Sequence, residues 1–149
     1  MRTVADPAEL EALIARLTAL EPSTACRWGM MSSAEMLCHL GDAAGSVLTR
    51  TDGQPPPLRR LRKWFGLYSS IPWPHGLRTP RSVDPHRDGT RPATFEADRA
   101  RAITGLRSVA AAGPEALPKG HGVFGRMTQQ DWHRWAYLHT DHHLRQFGL

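Results

Sequence analysis

Near its end the chain reads "YLHTDHHLRQFGL", which places His139, His142 and His143 within five residues. If this stretch is helical, His139 and His143 stack one turn apart, and two imidazoles there can converge on one ion. On a helical wheel both fall on the apolar side with Trp132 and Ala136, flanked by Trp135, Gln146 and Phe147. His142 lies roughly 80–100° round from that side and is the poorer candidate for a shared site. The spacing alone also describes a pair of core histidines hydrogen-bonded to backbone or to Gln146.

A third imidazole strengthens the metal reading. His39 sits at the edge of a stripe of Met36, Leu40, Ala43 and Val47, and so points near the same interior. Three nitrogens leave one or more positions for water or substrate, whereas structural zinc sites are closed by four protein ligands. His121, in the glycine-rich stretch "PKGHGVFGRM", is the candidate catalytic residue, as a substrate contact or general base. The plain alternative is an exposed loop histidine. His75, His86 and His133 read as surface residues. Cys38 points roughly 100° away from His39 and is not counted as a ligand. Asp42, three residues past His39, is placed to face the same cavity.

These residues need helices to position them. Asp6-Pro7-Ala8-Glu9 reads as a capping box with proline at the first helical position, opening a helix from about Pro7 to Leu20. Ser32 and Glu35 make a second capping box, before a helix that carries His39. Gly41 and Gly45 on that helix would let a neighbour approach closely. Residues 52–92 hold eight of the twelve prolines and read as a long connection rather than a packed helix. Within it, Leu58, Leu61, Trp64 and Phe65 can share one face of a short amphipathic piece opposite arginines. Thr94 caps a third main helix that Gly113-Pro114 stops, and Thr128 opens the last. There is no internal repeat and no convincing strand run. The expected fold is all-α: one domain over residues 1–149, a four-helix bundle with one long crossover between the second and third main helices.

Composition narrows the classes. A chain of 149 residues that is 40% hydrophobic can bury a real core. No run approaches the roughly 18 apolar residues of a membrane span, and the N-terminus lacks a signal-peptide pattern. Cys26 and Cys38 form no C-x-x-C pair, as expected of reduced thiols in a cytoplasmic protein. The net charge of +5 invites a nucleic-acid partner, but the basic residues are spread widely and are mostly arginine, so that reading is weak.

The stretches "RWGMMSSAEMLCHL" and "GHGVFGRMTQQDWHRWAYLHTDHHLRQFG" resemble the DinB-like superfamily of metal-binding four-helix bundles, and most closely a subfamily described only as a domain of unknown function. The resemblance implies that His39, His139 and His143 bind a divalent metal, nickel or zinc. The subfamily often has proline after the loop histidine, where this chain has Gly122. The wider superfamily includes thiol-dependent S-transferases and a mycothiol-dependent isomerase, which implies a small-molecule substrate and a low-molecular-weight thiol. A metal would hold such a thiol as a thiolate nucleophile.

The leading expectation is therefore a metal-dependent enzyme, with thiol transfer favoured by resemblance and a metal-dependent hydrolase physically as possible. A non-catalytic metal-binding stress protein and a DNA-binding module are the other classes, and a homodimer is a possible assembly. Residues 57–74 are expected to form a lid over one end of the bundle, burying Trp64, Phe65 and Trp73.

Overall fold

The computed structural model describes residues 1–49 and 59–149, and these are mostly helical. Helix α1 spans Pro7–Ala19, with the Asp6 side chain accepting the Ala8 N–H at 2.9 Å. The expected return arm of that capping box is absent. The Asp6 N–H goes to the Thr3 carbonyl at 3.2 Å, which leaves Glu9 to face Arg2 at 3.4 Å. Helix α2 spans Ser33–Thr49 and opens on the expected box: Ser32 N–H donates to Glu35 at 2.8 Å, and Glu35 N–H to Ser32 Oγ at 3.3 Å. A short helix α3, Arg60–Lys63, runs into a π-helical turn at Trp64–Tyr68. Helix α4, Phe95–Ala111, is capped by Thr94. Helix α5, Gln129–Gln146, opens on a complete box between Thr128 and Asp131.

Before α5 the glycine-rich stretch folds into a small antiparallel hairpin, β1 Gly120–His121 against β2 Gly125–Arg126. Two-residue strands are too short to leave an alternating pattern, so the sequence predicts none.

The most extensive helix contact is between α2 and α4. Gly105 of α4 makes it close, because a Cβ there would lie 2.8 Å from that of Ala44. Gly41 borders the Arg101 guanidinium, but Gly45 meets nothing within 4 Å, so only the first of the two expected glycines serves the approach. Leu13 and Leu17, Met36 and Leu37, Leu106 and Val109, and Trp132 and Leu144 bring all four long helices into one core. Each such side chain, fully buried, stabilises by roughly 1.5–3 kcal/mol.

The short helix α3 and the π-helical turn after it lie the other way round from their expected orientation. Leu61, Trp64 and Phe65 are exposed, while Leu67 is fully buried. Leu58 lies outside the described residues. The reason is electrostatic. Asp131, at the start of α5, is buried. Lys63 meets its carboxylate at 2.9 Å, and the Tyr68 hydroxyl donates to it as well. Arg59 donates to the Gly122 carbonyl at 2.7 Å, and Arg134 to the Leu67 carbonyl at 2.8 Å. A buried carboxylate costs far more unpaired than an exposed aromatic ring does. Lys63 and Tyr68 are therefore drawn toward Asp131, and Trp64 and Phe65 turn out. Trp73 does pack as expected, with its indole N–H on the Gly66 carbonyl at 2.6 Å.

Candidate metal centre

Helices α2 and α5 bring His39, His139 and His143 together. One ring nitrogen from each lies within 4.8 Å of the others, and the group could hold a metal ion. His39 Nε2 and His139 Nε2 are 3.0 Å apart. Tetrahedral coordination at about 2.0–2.1 Å per bond would set nitrogens about 3.3 Å apart, within the range these rings span.

Two of the rings are held by partners outside the group. His39 Nδ1 lies 2.7 Å from the Val83 carbonyl and must donate to it, which leaves its Nε2 as a lone pair facing His139. Val83 is presented by a 3₁₀ turn, Arg81–Val83, within the connection between α2 and α4. His143 Nδ1 lies 3.0 Å from Gln146 Oε1, one turn on. Gln146 Nε2 donates to the Trp28 carbonyl at 2.7 Å, so the amide is oriented and its oxygen must face the ring. His143 Nδ1 is then the donor, and its Nε2 is the available ligand atom. Trp135 stacks on His139 at 4.8 Å and limits its rotation.

Burial lowers the pKa of all three histidines. For His39 the Val83 carbonyl partly offsets that effect. His139 and His143 fall well below the ordinary value, because burial is joined by repulsion among the neighbouring rings. Neutral imidazoles are what a metal requires. The donor set and its tautomers fit a divalent metal ion.

The remaining candidates fall elsewhere. Asp42 does not join the group: Arg101 donates to it at 2.7 Å, as do the N–H and hydroxyl of Thr90. Burial raises its pKa, but these partners outweigh burial and hold it below the usual range. Cys38 is fully buried, with its thiol pushed up to about 11 chiefly by desolvation, so it stays protonated and apart. His133 corrects the surface reading. It is buried, close to the carbonyls of Ala112 and Val109 where α4 ends. His75 and His86 are exposed as expected, and His75 stacks on Trp28 at 4.0 Å. His142 is outside the group of three but beside it, 5.3 Å from His143 between ring centres. His121 accepts the Val123 N–H at Nδ1 and stacks on Phe124.

Val83 and Trp28 were not foreseen. Both act through backbone carbonyls, which carry no side-chain signature. Gly29 was the available hint, since it stands at φ 85° and a Cβ there would collide with the Gln146 amide.

These features define a helical protein with a three-histidine centre. The family model described as the DinB superfamily matches residues 2–147. The chain belongs to the DinB superfamily. Comparison with curated proteins and with solved structures gives no match. No helix among the described residues is long and apolar enough to cross a membrane.

Proposed function

We propose that the protein is a divalent-metal-dependent enzyme, with His39, His139 and His143 as ligands and nickel or zinc as the metal. One observation carries this reading. Three nitrogens converge, two of them in locked tautomers, and the group contains no fourth protein ligand among the described residues. When bound, the ion would supply Lewis acidity that lowers the pKa of a coordinated thiol or water.

The chain's own residues do the positioning. Val83 and Gln146 hold two rings in register, and Trp135 holds the third. His121 has its Nδ1 occupied by the Val123 amide, so its neutral form carries the proton on Nε2. We keep His121 as the candidate substrate contact or general base, stacked on Phe124 and 5.8 Å from Trp135 between ring centres. A hydrolase is the second reading, because the ion would lower the pKa of bound water as it would that of a thiol. Thiol transfer is favoured by resemblance to thiol-dependent members of the superfamily, in which the ion would hold the nucleophilic thiolate. The substrate class is a small molecule with a low-molecular-weight thiol as partner.

We also read the four long helices as a four-helix bundle with one long crossover between α2 and α4, forming one cytoplasmic domain that can pair as a homodimer. Cobalt substitution followed by titration with cysteine tests the function. A sulfur-to-cobalt charge-transfer band, abolished in His139→Ala, is expected. Metal uptake without a band, together with ester or amide hydrolysis, would favour the hydrolase. Metal uptake with neither activity would favour a non-catalytic metal-binding stress protein. Salt-sensitive DNA binding without metal uptake would favour a DNA-binding module.

A further inference from the structure

The rings around the three histidines define what can reach them. On the bundle side of His139 lies a small cavity of about 20 Å³, lined by Leu17, Leu40 and Leu106 among others. That is room for about one water and not for a substrate, which leaves the side of His139 that faces Trp73. There, Trp73 lies 6.2 Å from His139 and 5.9 Å from His142, and Trp28 lies 6.1 Å from His142. Both indoles are half-buried, and each keeps part of its surface open.

Charge selects the ligand as well. Three neutral imidazoles around a divalent ion leave its full charge uncompensated. Nearby carboxylates are committed to arginines: Asp42 to Arg101 at 2.7 Å, and Asp141 to Arg16 at 2.7 Å and Arg145 at 3.1 Å. The site therefore favours a negative ligand, and its walls favour a flat apolar one.

We propose that the centre takes a small anion with an aromatic body, its charge at the three histidines and its ring against Trp73 and Trp28. This rests on the metal reading above, but not on the choice between thiol transfer and hydrolysis.

The test uses cobalt-loaded protein titrated separately with benzoate, acetate and benzylamine. Cobalt visible absorption and tryptophan fluorescence are followed. Benzoate is expected to shift the cobalt spectrum and quench fluorescence at a concentration about tenfold or more below that of acetate. Benzylamine, protonated, should do neither. Trp73→Leu should bring benzoate to the level of acetate without changing cobalt uptake. Trp28→Leu is the companion variant, because the Trp73 indole also anchors its own segment to Gly66. Equal affinity of the wild-type protein for benzoate and acetate would overturn the aromatic wall, and preferential binding of benzylamine would overturn the charge assignment. Absence of cobalt uptake by metal analysis would remove the metal reading itself. Cobalt uptake with equal anion affinities would remove only this inference.

Discussion

Gln146 shows how much one side chain can decide. Its oxygen holds the His143 ring and its nitrogen holds the Trp28 carbonyl, so it links the ligand helix to the loop before α2. Gly29 leaves the room for it. Replacing Gln146 with Leu removes the acceptor that fixes the His143 tautomer. Metal affinity is expected to fall about 10- to 100-fold, as loss of such an orienting partner usually does. A competition titration with a chromophoric chelator measures it, and unchanged affinity would show that the ring is positioned without the amide. Gly29→Ala should weaken metal binding in the same direction and also lower stability by about 1 kcal/mol or more, since alanine resists a φ of 85°.

At the scale of elements, the start of α5 anchors the segment that carries Trp73. Asp131 completes its own helix cap and also receives Lys63 and Tyr68. Burial pushes its carboxyl up, but the hydrogen bonds from Tyr68, Lys63 and the Thr128 N–H together hold it below the usual range. Burial of its hydroxyl, and then the same carboxylate, push Tyr68 up to about 12. Lys63→Met should therefore destabilise by roughly 2 kcal/mol in urea unfolding, below the full cost of a sealed ion pair because Lys63 is partly exposed. Trp64→Ser, on the exposed side of the same segment, should stay within about 0.5 kcal/mol of wild type. If both variants unfold alike, the inward side of the segment has been misassigned.

At the scale of the whole molecule, the histidines tie stability to pH and to metal. In the folded state the pKa values of His39, His139 and His143 are depressed, whereas in the unfolded chain they titrate near 6.5. Below about pH 7.5 the unfolded state thus binds more protons than the folded state, and stability falls as pH drops. The metal-free melting temperature should be flat above that pH and decline toward pH 5.5. His139→Gln should blunt the decline. Adding zinc at 100 times its dissociation constant should stabilise by about 2.7 kcal/mol, and a chelator should reverse it. No rise with zinc, nickel or cobalt would count against a site that closes on a metal.

The local rules of the chain determined the helices and two of the ligands' shared face. Ser32 with Glu35, and Thr94 and Thr128, start helices where short-range hydrogen bonding says they should. The spacing of His139 and His143 follows from the helical repeat alone. What needed the tertiary structure were contacts made through backbone atoms or across long separations. The Val83 carbonyl on His39, the Trp28 carbonyl on Gln146 and the loss of Asp42 to Arg101 have no trace in residue spacing. The outward turn of Trp64 and Phe65 was equally hidden. Periodicity records which residues share a face, but a buried carboxylate 68 residues downstream of Lys63 decided which residues turned in.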